Sequence, residues 1–396
     1  MIIYLGGAAT ALAAGEILLR LQNPYRLWKD AFDEGKVHKP DSDFGWRPIP
    51  DISFRFYHRY LKGKRLVRHN SLGLRSSREF SPQKEGDVFR ILVFGETTLL
   101  GWELEERQTI CSLLEKKLQG AIPAKRVEVV PVVARNYCLG QLYTWYHQIF
   151  HDFDFDLLIY YFNENNPRRS ITFHESGKPA VFTQPIFVRS PQGDIKLQPA
   201  PMVEHPNDMV FLNAQGEVNV ERGITEKSLH NWLKNHLHLY CALDDLKQGA
   251  IRLRDFKDRV EIKDIEKWKQ RKEMGGLPFQ WEICRAVFLE WEKMLSISNR
   301  PMVLVNNLQY YHAGNNWLQN GTEHPWGFDY EDIPSRKYLS AIAEEMGVEF
   351  WDTYQHAFEN KVDTSDFYIH PRYAYYSPSG AAYQATYIAQ RILNFW

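Results

Sequence analysis

The chain has 396 residues, 44% of them hydrophobic and 24% charged, with a formal net charge of −1. That balance fits a globular protein with a sizeable core and one large or two ordinary domains. It carries no basic field for a nucleic acid, which is not expected as a partner. Aromatic residues make up 14%, including 12 Trp, and serve mainly as core and interface material. Cys111, Cys138, Cys241 and Cys284 lack metal-ligand spacing, and the apolar surroundings of Cys111 and Cys138 favour buried thiols over a disulfide framework.

Residues 2–19, IIYLGGAATALAAGEILL, are apolar except for Glu16. As a helix, such a run spans roughly 27 Å, about the thickness of a bilayer core. No basic side chain precedes it, so an uncleaved membrane anchor over residues 1–25 is expected ahead of a cleaved signal or an amphipathic docking helix. In such an anchor Glu16 either reaches the interface or contacts another membrane subunit. Arg20, Arg26 and Lys29 follow the run, and the positive-inside rule then places the body in the cytoplasm.

Residues 26–88 read as an extended arm without a long period, rich in Pro, Asp and aromatics over 38–60. An α/β alternation follows. FRILVFG (89–95) is a continuous apolar run, the pattern of a parallel strand covered on both faces. Ile110, Leu113, Leu114 and Leu118 predict a helix over 107–119. A strand over 127–133, a helix near 141–152 and a strand over 156–162 complete the first half.

Residues 167–299 break the rhythm and read as an insertion. Pro191-Gln192-Gly193-Asp194 and Asn213-Ala214-Gln215-Gly216 predict two β-hairpins. Charged helices are expected near 226–250 and 255–273, and a third near 279–297. The alternation resumes with a strand over 301–307, a helix over 334–346, a strand over 348–354 and a terminal helix over 379–394. Five strands separated by helices imply a flavodoxin-like three-layer α/β/α domain formed by 89–166 and 300–396.

Four segments, in this order, resemble the membrane-anchored branch of the SGNH (GDSL) hydrolases. They are Asp43-Phe44-Gly45-Trp46-Arg47 with Asn70-Ser71-Leu72-Gly73-Leu74-Arg75, then Gly95-Glu96-Thr97 with Gly101, then Asp156-Leu157-Leu158-Ile159 leading to Asn165-Asn166, and finally Tyr376-Ser377-Pro378-Ser379-Gly380. The resemblance implies the SGNH fold, and in a working member a nucleophilic Ser, a His base and an orienting Asp, with an oxyanion held by backbone N–H, Gly and Asn.

Carried over position by position, the nucleophile falls on Thr97, the His on Tyr375 and the Asp on Arg372. A phenol is no base at neutral pH, and Arg has the wrong charge. These three are vestigial triad positions. The oxyanion or ligand-binding positions survive as Gly140 and Asn165. His370, with Asp366 before it, is the alternative base for a catalytic Thr97. Glu164-Asn165-Asn166 reads equally as a ligand loop or as a turn satisfied by its own side chains. His147 and His151 sit at i,i+4 without a third ligand, so neither a metal nor a cofactor is expected.

The reading that follows is a catalytically degenerate binding or scaffolding subunit of a membrane-associated assembly, with a protein partner. The alternative is an esterase or O-acetyltransferase acting on a cell-envelope glycan through Thr97. The resemblance implies a periplasmic or extracytoplasmic body, against the vote of the basic residues, and that side is the expectation adopted.

Overall fold

The computed structural model describes residues 2–22, 37–56, 61, 64–164, 166–170, 184–189, 195–198, 209–212, 218–221, 233, 236–240, 243, 278–308, 333–369 and 375–395. The chain divides into two compact units, Met1–Lys36 with Gly223–Lys267 and Val37–Arg222 with Trp268–Trp396.

In the first unit, helix α1 (Ile2–Gln22) forms over the N-terminal apolar run. It does not meet the expectation of a membrane anchor: among the described residues, no helix is long and apolar enough to cross a membrane. The end of α1 is organised around charge instead. Glu16 accepts Arg20 Nε at 2.7 Å and the backbone N–H groups of His238 and Leu239 at 3.1 and 2.7 Å. Burial pushes the Glu16 carboxyl up, but the Leu239 amide, Arg20 and the His238 amide outweigh it and hold it down to about 2. Arg20 Nη2 also donates to the His236 carbonyl. The helix therefore packs on residues 236–239 of its own unit through a fixed carboxylate. The charged helix expected near 226–250 lies largely, and that near 255–273 wholly, outside the described residues.

The second unit is built on a five-stranded parallel sheet. Its strands are β5 (Val88–Gly95), β6 (Arg126–Val133), β7 (Leu157–Phe162), β12 (Met302–Asn306) and β13 (Glu349–Asp352). Their spatial order is β6-β5-β7-β12-β13, all paired in parallel. Counted along the sheet strands alone, this is the 2-1-3-4-5 order of flavodoxin-like folds. Every residue of β5, β7 and β12 is buried, as the continuous apolar runs predict. Pro131 in β6 is tolerated because β6 is an edge strand.

Helices cover both faces. One face carries α3 (Ile110–Ala121) and the terminal helix α9 (Pro378–Phe395). The other carries α4 (Leu139–Gln148), α6 (Pro278–Ile297) and α7 (Pro334–Met346). On that second face Trp291 of α6 packs edge-on against Phe94 and Tyr160, with ring centroids 5.2 and 5.8 Å apart. Trp281 stacks on Phe162 at 5.3 Å. The alternate residues Ile91, Val93, Ile159 and Tyr161 are buried towards α3 and α9, the period-two split of a two-sided strand. The C-terminal strand is shorter than the 348–354 expected, because Asp352 caps the N–H of Tyr354 and starts α8 (Thr353–Glu359).

The arm is not simply extended. It folds into hairpins β1 (His38–Asp41) with β2 (Gly45–Pro48), and β3 (Ser53–Phe56) with β4 (Arg65–Arg68). Phe44 and Trp46 are buried in the sheet's core, and their carbonyls accept from Gln141 Nε2 and Tyr137 Oη, both at 2.7 Å. The insertion contains the two hairpins expected, β8 (Ile186–Arg189) with β9 (Ile195–Gln198) and β10 (Met209–Leu212) with β11 (Val218–Glu221). Cys111, Cys138 and Cys284 are free and buried.

Candidate functional site

In a sheet of this order the natural ligand crevice lies at the carboxyl ends of the strands, where the order reverses beside the first strand. Here that point collects the ends of β5, β6 and β7. β5 leaves the sheet at Gly95, where an added Cβ would crowd Leu99 Cδ2 at 2.9 Å and the Tyr161 carbonyl at 3.3 Å. Glu96 then opens the one-turn helix α2 (Thr97–Leu100), which Gly101 ends in the left-handed region at φ 61°.

Thr97, the nucleophile position, is half-buried and bonded twice to one residue. Its hydroxyl donates to Asn136 Oδ1 at 3.1 Å and accepts the Asn136 backbone N–H at 2.9 Å. Asn136 holds a left-handed φ of 59° at the end of β6, a conformation that Asn adopts more readily than most residues. Glu96 is 3% exposed and ion-paired to Arg169, itself 7% exposed, and Arg169 Nη2 reaches Asn136 Oδ1 at 3.4 Å. Asn163, at the end of β7, donates to Thr98 Oγ1 at 3.2 Å. The turn is thus tied to both neighbouring strand ends by buried polar groups.

Tyr375 does come to this place. It lines a narrow cleft without room for a water molecule, with Thr97, Phe56, Leu100, Trp102, Glu103 and Arg135. Its hydroxyl accepts Arg135 Nη2 at 3.3 Å, and the Arg135 guanidinium lies 5.3 Å over the Trp102 ring. The next residue, Tyr376, is fully buried and belongs to the core. Its hydroxyl donates to Asn307 Oδ1 and lies 3.1 Å from that of Tyr161. Burial pushes Tyr376 above the usual phenol range.

The other expected positions scatter. Arg372, His370 and Asn165 lie outside the described residues. Gly140 sits in the first turn of α4, where an added Cβ would lie 3.1 Å from the Pro185 carbonyl and 3.3 Å from the Phe187 ring. Its surroundings are thus the β8 strand entry. Glu164 faces inward, accepting Ser335 Oγ at 2.9 Å and Tyr354 Oη at 3.2 Å, and Asn166 Nδ2 donates to Tyr160 Oη. Both fit the turn reading. His147 lies edge-on to Tyr143 with centroids 4.4 Å apart, and His151 pairs with Asp152 at 3.0 Å. Among the described residues no group of three or more His, Cys, Asp or Glu side chains is arranged to hold a metal.

Four participants had no signal in sequence spacing: Asn136, Arg169, Asn163 and Glu103. The first three meet the turn only because parallel pairing aligns the ends of separate strands. Glu103 hides in the acidic run Glu103-Leu104-Glu105-Glu106, which reads as a solvated face, yet Glu103 is 2% exposed. A Trp and a Leu flanking an acidic residue were the available hint.

Comparison with solved structures finds similarity to the crystal structure of the lipase/acylhydrolase from Enterococcus faecalis. Identity is 10%, the match covers 77% of this chain and 96% of that one, and the TM-score is 0.36. A second crystal structure is similar at 11% identity, over 78% of this chain and 99% of that one, with a TM-score of 0.36. No protein-family model matches the chain. No curated protein matches it either.

Proposed function

We propose that the chain is a non-hydrolytic binding protein on a hydrolase-type α/β sheet, acting as a binding or scaffolding subunit. The observation that carries this is the state of Thr97. Both of its hydrogen bonds go to Asn136, an amide that cannot take up a proton at neutral pH. The residue at the base position, Tyr375, is a phenol engaged by Arg135. Because nucleophile, base and orienter act as a unit, loss of the base alone removes most of the hydrolytic rate.

The esterase or O-acetyltransferase reading draws on one observation, that Thr97 keeps its hydroxyl at a crevice shared with the Glu103 carboxyl. Hydrolysis of p-nitrophenyl acetate by the full chain, Thr97→Ala and Glu103→Gln separates the two. Equal background in all three is expected. Turnover that disappears in Thr97→Ala would make the chain an enzyme and overturn the binding reading.

A further inference from the structure

A second cavity shares no residue with the Thr97 cleft. It holds about 540 Å³ between the 75–80 segment of the arm, the short turn Glu106–Gln108, the start of α3 and the edge strand β6. That volume falls within the usual range of small-molecule sites, about 300–1,000 Å³.

The lining is polar and its charges balance. Arg75, Arg78 and Arg107 stand against Glu105, Glu106 and Glu115. Equal numbers of opposite charges set up no field that selects an ion of one sign. An apolar ligand would strip water from these groups without replacing it. The edge strand offers no pairing to an extended peptide either. Val127 and Val129 give their N–H groups to Gln119 Oε1 and Glu115 Oε2, both at 2.9 Å, and Pro131 has none to give.

The hydrogen bonds within the lining leave a matched remainder. Arg75 is engaged by the carbonyls of Leu100, Gly101 and Leu104. Arg78 Nη2 donates to Glu115 Oε2 at 2.6 Å, and Glu106 Oε1 accepts the N–H and the Oγ of Ser77, both at 2.8 Å. Among the described residues, Glu106 Oε2, Glu115 Oε1 and the exposed Arg107 guanidinium have no such partner. Ser76 Oγ accepts the Arg78 N–H at 3.0 Å, which leaves its own proton to donate. Two donors and two acceptors therefore remain on one cavity.

We propose that this cavity binds a neutral polyhydroxylated ligand, a sugar unit, whose hydroxyls donate to Glu106 and Glu115 and accept from Arg107 and Ser76. A hydroxyl both gives and takes a hydrogen bond, so neighbouring hydroxyls answer the mixed remainder without adding charge. Phe80, Val129 and Pro131 supply the apolar part of the lining, against which the C–H face of a sugar ring rests. The site goes beyond the reading of Thr97 and does not depend on it.

The test is calorimetric titration of the full chain with D-glucose, D-galactose, D-mannose and N-acetyl-D-glucosamine. Inorganic phosphate, n-butylamine and glycine serve as the anionic, cationic and zwitterionic comparison probes. At least one sugar is expected to bind saturably and more tightly than all three comparison probes. Arg107→Ala and Ser76→Ala should each weaken that sugar by about five- to tenfold, the loss of one hydrogen bond. Arg285→Ala, which breaks an exposed pair between α6 and α7, should leave it unchanged. The proposal is overturned if no sugar binds, if phosphate, butylamine or glycine binds more tightly, or if Arg107→Ala binds like the parent. Should Ser76→Ala fail to fold, the exposed Arg107 still decides. Hydrolysis of p-nitrophenyl acetate is a separate readout. Thr97-dependent turnover with sugar binding intact sinks only the non-hydrolytic reading, and absent turnover with absent sugar binding sinks only this one.

Discussion

Thr97 and Asn136 form a closed pair, the hydroxyl of one donating to the side chain and accepting from the backbone of the other, at 3.1 and 2.9 Å. The geometry makes Thr97 a structural tie between the ends of β5 and β6. Thr97→Val keeps the shape and deletes both bonds, leaving the Asn136 N–H without this acceptor. It should cost about 1–3 kcal/mol of unfolding free energy by chemical denaturation. Thr97→Ser, which keeps the hydroxyl, should cost much less.

The Glu96–Arg169 pair is buried on both sides. Removing one partner strands a charge, so Arg169→Met should destabilise by about 3–5 kcal/mol. The double variant Glu96→Gln/Arg169→Met removes the stranded charge and should recover a large part of that loss. A double-mutant cycle from urea unfolding measures the difference.

Gly380 opens the terminal helix, where Ser377 Oγ accepts its N–H at 3.1 Å and Pro378 leads the first turn. A Cβ at this position would land on the Phe367 carbonyl oxygen and 2.7 Å from Tyr376 Cδ1. Gly380→Ala should therefore displace Phe367 and Tyr376 against the terminal helix, lowering the melting temperature. A variant that melts normally would contradict this packing.

His69 is 5% exposed, and burial, aided by Arg75, holds it down to about 4 even though the Ile49 carbonyl favours its protonated form. Its ordinary value is about 6.5. The unfolded chain thus gains a proton between these values that the folded one does not. Stability from this group is complete above about pH 6.5 and falls as pH drops towards 4, by about 3 kcal/mol at most. His69→Gln should flatten that slope in unfolding measurements between pH 7 and pH 4.5.

Much of the sheet was legible in sequence because its strands are buried on both faces. Val88–Gly95 and Leu157–Phe162 have no polar alternation to confuse with a helix, apart from Arg90, which the sheet pairs with Glu128. The arm was not legible as hairpins, since its strands are four residues long and their ring packing is supplied by residues far along the chain, such as Trp102 and Tyr137. The site was legible only at Thr97 and Tyr375. Its other members are set by tertiary burial, and burial pushes the Glu103 carboxyl well above the usual carboxylate range. At the apolar N-terminal run, hydropathy alone does not show that the Glu16 carboxylate is bound by two backbone amides.

Arg75 gives the arm a role that its place outside the sheet conceals. Its fully buried guanidinium takes the carbonyls of Leu100, Gly101 and Leu104, the three that close the turn after Thr97. The crevice floor is thus held from a segment preceding the first sheet strand by more than ten residues. The smallest transplantable module of this protein begins near Val37, where the second unit begins, and not at the sheet. Grafts or truncations that keep only the α/β alternation would carry the strands and leave the shape of the site behind.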